Sequence, residues 1–281
     1  MKDGAGASKS DVVFWNRLSG HYDGFMRLFA REYPELLRLI SAELQQKDAV
    51  LEMACGTGII SQQISPLVQR VTATDISPAM IAVAAAKAQK LGLANIAFSV
   101  QDGYALDFAD DSFDAVIIAN ALHVIPEPLR MLKEAGRVLQ PQGKLLTATY
   151  CHGENMKTRF LFWLLHLTGF RAWREFTSKS FGELVAAAGF AVEKTRLLHI
   201  HFPLIYVVAR PFGYIYGFPA GCPHGPSDHE EHGFMGFIPD AETERKSFGD
   251  QRIKGRQLLG EWHKQPTVDC MADFLSVQEW K

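Results

Sequence analysis

The sequence predicts an α/β protein built on a mostly parallel sheet with helices on both faces. Three observations carry that expectation. Strand-like and helix-like segments alternate from Ala49 to Ala209 at lengths that suit βα units. The run Phe113–Ala119 is apolar apart from Asp114, which suits a strand buried on both faces. A glycine turn, Gly56-Thr57-Gly58, directly follows the first apolar strand.

The elements follow in order. Ala49–Met53 reads as the first strand and Ser61–Val68 as the helix after it. Arg70–Thr74 is the second strand. Ser77-Pro78 opens a helix, with Ser as N-cap and Pro at the first helical position, and Gly92 stops it after Leu91. Ile96–Val100 is the third strand and Phe113–Ala119 the fourth. A helix over Leu129–Leu139 leads to a fifth strand, Gly143–Thr149. A further helix over Ser180–Ala188 ends at Gly189. Two strands, Phe190–Leu198 and Phe202–Ala209, then lie too close in sequence for a crossover, so they pair antiparallel at an edge.

Composition bounds the rest. The chain has 281 residues, 47% of them hydrophobic, enough for one large core. A net charge of −2 gives no basic field for nucleic acid, so no nucleic-acid partner is expected. Four cysteines are widely spread without a CxxC pair, which suits a reducing compartment. Met1–Asp11 is polar and lacks the apolar core of a signal peptide. Apolar runs such as Phe160–Leu165 fall far short of the roughly 18 residues of a spanning helix. The expectation is a soluble, cytoplasmic protein. Composition shifts near Arg210-Pro211: residues 211–281 hold 9 of the 23 glycines and 6 of the 13 prolines. A domain is therefore expected over 1–210, with 1–45 as an N-terminal helical cap, followed by a C-terminal extension, 211–281. Cys222, His224, His229, His232, His263 and Cys270 lie in that extension without the paired spacing of zinc ligands, and no metal is expected.

Candidate binding residues fall at the ends of the strands. Glu52, Ala54, Gly56 and Gly58 surround the glycine turn, where a ligand can approach the backbone and the next helix offers free N–H groups. Asp75, with Ile76 beside it, ends the second strand 17 residues after Gly58, where a carboxylate can accept both hydroxyls of a ribose. Asp102 and Gly103 follow the third strand and suit an adenine amino group; Asn120 follows the fourth. This pattern points to a nucleoside-type cofactor. The third glycine of a dinucleotide fingerprint is replaced by Ser61, which weakens an NAD(P)-dependent oxidoreductase reading.

Residues from about Asp11 to Arg210 resemble the class I S-adenosylmethionine (SAM) dependent methyltransferases, within the type 11 group that includes quinone-biosynthesis C-methyltransferases. Leu51-Glu52-Met53-Ala54-Cys55-Gly56-Thr57-Gly58 carries the likeness, with Ala54 where the family usually has glycine. Asp75, Asp102, the run Phe113–Val116 with Asn120–His123, and Glu134–Leu139 with Pro141 and Gly143 extend it. The resemblance implies a Rossmann-like doubly wound sheet of seven strands, order 3-2-1-4-5-7-6, its last strand antiparallel. It also implies SAM as cofactor and a monomer or homodimer. Phe14–Arg17 and Gly20–Asp23 resemble the N-terminal helix that closes over SAM in relatives, which puts Tyr22 over the cofactor.

The expected reaction is methyl transfer from SAM to a small, apolar or aromatic acceptor. In such a reaction the protein aligns the nucleophile and excludes water. His123 follows the fourth strand and is the candidate general base, with His21 and His152 behind it. The apolar segment Arg159–Leu167 reads as a core-facing helix or as a substrate lid. A lid of that character favours an apolar acceptor or peripheral contact with a membrane surface. A non-catalytic SAM-binding protein is the second reading, since this family has no obligatory catalytic residue.

Overall fold

The computed structural model describes residues 9–27, 33–151, 153, 174–199 and 203–212, all within one compact unit, Met1–Gly225. Three short helices come first: α1 (Lys9–Leu18), α2 (Tyr22–Arg27) and α3 (Tyr33–Ser41). The alternating core follows as β1 (Ala49–Met53), α4 (Ile59–Ile64), β2 (Arg70–Asp75), α5 (Pro78–Lys90), β3 (Ile96–Val100), β4 (Phe113–Ala119), α6 (Pro128–Val138) and β5 (Leu139–Tyr150). It closes with α7 (Ser178–Ala187), β6 (Phe190–His199) and β7 (Pro203–Pro211). The seven strands form one sheet in the order β3-β2-β1-β4-β5-β7-β6. β7 is antiparallel to both β5 and β6, while β3, β2, β1, β4 and β5 pair in parallel. This is the Rossmann-like seven-stranded order 3-2-1-4-5-7-6, with its last strand antiparallel, that the resemblance implied.

Period-2 side-chain alternation splits the core into two layers. Leu51, Met53, Val116, Ile118 and Leu145 face one side, where Leu132 and Val138 of α6 and Phe181 and Val185 of α7 cover them. Val50, Ala115, Ile117 and Leu146 face the other, against Leu36 and Ile40 of α3 and Ile60 and Ile64 of α4. Thus α3 packs into the core as a sheet-covering helix.

Several boundaries differ from the sequence expectation. The helix expected over Ser61–Val68 starts earlier, at Ile59, and ends at Ile64. Pro66 then tightens Ser65–Leu67 into a 3-10 turn, because proline has no N–H to continue the ladder. β5 starts at Leu139 rather than Gly143. Leu139 pairs with Phe113, and the register shifts before Lys144 pairs with Ala115. The helix expected from Ser180 starts at Ser178, because Thr177 and Ser180 form a reciprocal capping box. The Ser77 cap, the Pro78 start and the stop at Gly92 (φ +69°) agree with expectation. Among the described residues no helix is long and apolar enough to cross a membrane. The candidate lid Arg159–Leu167, His152 and the Cys/His set of the extension lie outside the described residues.

Candidate functional site

The strand order reverses between β1 and β4, which run parallel, and a crevice opens there at the carboxyl ends of the parallel strands. The first four strands each deliver residues to it: Ala54 and Gly56 after β1, Asp75 and Ile76 at the end of β2, Gln101–Tyr104 after β3, and Ala119–Ala121 at the end of β4. Asp11, Trp15 and Tyr22 from α1 and α2 complete the wall.

The turn after β1 is held from beneath. Ala54 (φ 55°), Gly56 (φ 54°) and Gly58 (φ 73°) all adopt left-handed backbone. The Gly56 N–H donates to Asp75 Oδ2 at 2.8 Å and the Ser77 N–H to Asp75 Oδ1 at 2.9 Å. Asp75 therefore ties the β1 turn to the β2 turn, and its residue lines the crevice. Burial pushes its carboxyl above the usual range, and the backbone N–H bonds oppose that rise. The Tyr22 ring lies over Gly56, where an added Cβ would stand 3.6 Å from Cε1.

Two expected site residues face elsewhere. Glu52 is buried behind the turn, where its carboxylate accepts from the Ser61 N–H at 2.9 Å and from the Ser61 hydroxyl. Burial pushes its pKa up to about 7. Gly58 also sits behind the crevice, and a Cβ there would stand 3.1 Å from Ala84, Gln62 and Phe98. Both shape the turn rather than line the cleft.

On the far side of β2, Asp102 Oδ1 accepts from the Tyr104 N–H at 3.0 Å, and Gly103 abuts Met131. The Tyr104 hydroxyl accepts from the Glu127 N–H at 3.2 Å and the Arg130 guanidinium stacks 5.1 Å from its ring centroid, which fixes that wall. Asn120 (φ 56°) ends β4; its Nδ2 donates to the Tyr33 hydroxyl at 3.2 Å. Asn120 Oδ1 is buried and has no hydrogen-bond partner among the described residues.

His123 does not line the crevice. Its ring is buried, its Nδ1 lies 3.1 Å from Thr149 Oγ1, and it meets the Tyr150 ring edge-on. Burial drives its pKa down to about 4, so the imidazole is neutral through the physiological range. His21 is exposed.

The N-terminal segment is pinned to this site. Asn16 Oδ1 accepts from the Ser77 hydroxyl at 2.6 Å and from the Ala79 N–H at 3.3 Å, at the start of α5. Asp23 accepts from the Thr57 hydroxyl at 2.6 Å and from Lys87 Nζ at 2.8 Å. Trp15 falls in the Phe14–Arg17 run already read as closing over the cofactor, whereas the roles of Tyr33, Asp11 and Tyr104 had no signature in the sequence, since isolated aromatic and acidic residues carry no spacing rule. Tyr33 could not have been found without the register that sets α3 beside Asn120.

Among the described lining residues are three carboxylates, Asp11, Asp75 and Asp102, and no Lys, Arg or His. Such a lining favours a cationic ligand and repels a pyrophosphate.

Residues 50–143 match a family model described as a methyltransferase domain. The uncharacterized methyltransferase YcgJ of Bacillus subtilis is 31% identical over 120 residues, 43% of this chain and 47% of YcgJ. A ubiquinone biosynthesis O-methyltransferase of Xanthomonas oryzae is 33% identical over 124 residues, 41% of this chain and 49% of the relative. The chain thus spans about half the length of the curated relatives it matches. The solved structure of a DhpI–SAH complex superposes with a TM-score of 0.56 at 25% identity, covering 72% of this chain and 96% of DhpI.

Proposed function

We propose, on the premise that residues 50–143 match a methyltransferase-domain family model, that this chain is a class I SAM-dependent methyltransferase that transfers a methyl group from SAM to a small, apolar or aromatic acceptor. The acidic crevice is the observation that carries the reading: a sulfonium and an α-ammonium are both cationic, and the described lining is carboxylate-rich with no basic residue. Asn120 Oδ1, without a partner among the described residues, fits the same ligand, as does Asp75, which lines the crevice at the end of β2 where a ribose would lie. The bound cofactor supplies an electrophilic methyl on a sulfonium. The chain's own residues hold it and exclude water. In this reading Asp75 takes the ribose, Asp102 and Gly103 the adenine side, and Ala54, Gly56, Ile76 and Asn120 the backbone and methionine side. Tyr22 covers the turn, while Glu52 and Gly58 act by holding it in shape. The names of relatives that act in ubiquinone and menaquinone biosynthesis, as O- and as C-methyltransferases, support a quinone-type acceptor.

His123, held neutral and bonded to Thr149, acts in this reading as an orienting group at the end of β4. A pH–rate profile is therefore expected to show no limb from it between pH 6 and 7, only below about pH 5. A limb at pH 6–7 that vanishes in His123→Ala would instead make it a base in contact with solvent.

Calorimetric titration tests the reading, with S-adenosylhomocysteine (SAH) in one cell and NADH in another. Micromolar binding of SAH and none of NADH is expected; NADH binding alone would overturn the assignment. Labelled SAM with a panel of phenols and hydroquinones then tests transfer. SAH binding with no label transferred to any acceptor would favour a non-catalytic SAM-binding role.

A further inference from the structure

Asn120 combines two unfavourable features. Its backbone sits in the left-handed region at φ 56°, and its Oδ1 is buried with no donor among the described residues. A buried amide oxygen left without a donor keeps the uncompensated cost of its desolvation. Unfavourable features of this kind persist where a ligand relieves them. The crevice around it is acidic, so the missing donor has positive character.

The other end of the same amide is fixed. Its Nδ2 donates to Tyr33 Oη at 3.2 Å. Tyr33 begins α3, and α3 is anchored by the fully buried Leu36 and Ile40 against the sheet. The platform is therefore part of the core. Burial pushes the Tyr33 hydroxyl up to about 12, so it stays neutral and its oxygen remains a steady acceptor.

We propose that Tyr33 is a positioning residue: by accepting from Asn120 Nδ2 it holds the amide so that Oδ1 faces the positively charged methionine end of the cofactor. The inference rests on the SAM reading above. The shared chemistry is a cation, which is either the sulfonium or the α-ammonium, and the test separates them.

The experiment is calorimetry on the full chain with three probes: SAM, SAH and 5′-methylthioadenosine, which lacks both charges. The variants are Tyr33→Phe, which keeps the ring, and Asn120→Gly, which tolerates φ 56° and removes the amide. Tyr33→Phe is expected to weaken SAM binding roughly threefold to tenfold, in line with one hydrogen bond, and to leave 5′-methylthioadenosine unchanged. Asn120→Gly is expected to lose at least as much for SAM. Loss for SAM alone assigns Oδ1 to the sulfonium; equal loss for SAM and SAH assigns it to the ammonium. An equal loss for all three probes would mean a merely structural role and overturn the proposal, as would no loss for Tyr33→Phe. Wild-type protein that binds none of the three overturns the SAM reading and this inference with it.

Discussion

Gly58 and Glu52 illustrate how a residue can serve a site without touching its ligand. At φ 73°, with three side-chain atoms 3.1 Å from where a Cβ would stand, a side chain at Gly58 is strained and crowded. Gly58→Ala is expected to cost about 1–3 kcal/mol through strain and crowding, read as a lowered denaturation midpoint. An unchanged midpoint would mean the turn relaxes freely. Glu52 carries a pH signature. Its folded pKa, about 7, is above the ordinary 4.5, so the fold favours the neutral carboxyl. That contribution is fully present below pH 4.5 and is lost as pH rises through 7, on the order of 3 kcal/mol over the window. Glu52→Gln removes the titrating group, so its melting temperature is expected to fall less than wild type between pH 5 and 8. Parallel curves would show that Glu52 ionises freely. The sequence singled out both residues as binding residues because they belong to the motif. Their orientation, behind the turn, followed only from where Ser61, Ala84 and Phe98 pack.

At the scale of elements, α1 and α2 close one side of the crevice through polar bonds to α5 and the β1 turn. Asp23 is 40% exposed and Lys87 29%, so their ion pair is worth roughly 1 kcal/mol or less in stability. The bond from the Thr57 hydroxyl adds a second tie at the same carboxylate. Asp23→Ala is expected to raise amide exchange over residues 9–27 selectively, and to weaken SAH binding a few-fold, while the sheet stays protected. Unchanged exchange there would mean that Asn16 and the Trp15–Tyr22 ring contact hold the segment alone. Element types were legible from apolar periodicity and from punctuation such as Ser77-Pro78 and Gly92. The ends of α4 and β5 were not, because Pro66 bent the first and the pairing of Leu139 with Phe113 extended the second. Strand ends are set by partners that a local pattern does not contain.

On the scale of the whole molecule, the described residues all fall within Met1–Gly225. A chain ending at Gly225 is expected to keep SAH affinity, measured by the same titration; loss of binding would tie residues 226–281 to the site. The sequence by itself determined the fold class, the seven-stranded alternation and four of the strand ends that bring Ala54, Asp75, Asp102 and Asn120 to one crevice. It could do so because side-chain alternation, caps and glycine turns are local, and because parallel strands send their carboxyl ends to one edge. Tertiary structure alone decided which of those residues face the ligand, that His123 turns away toward Thr149, and that Tyr33 reaches Asn120. Those outcomes depend on contacts between segments distant in sequence, 87 residues apart for Tyr33 and Asn120, and packing rather than local preference fixes them.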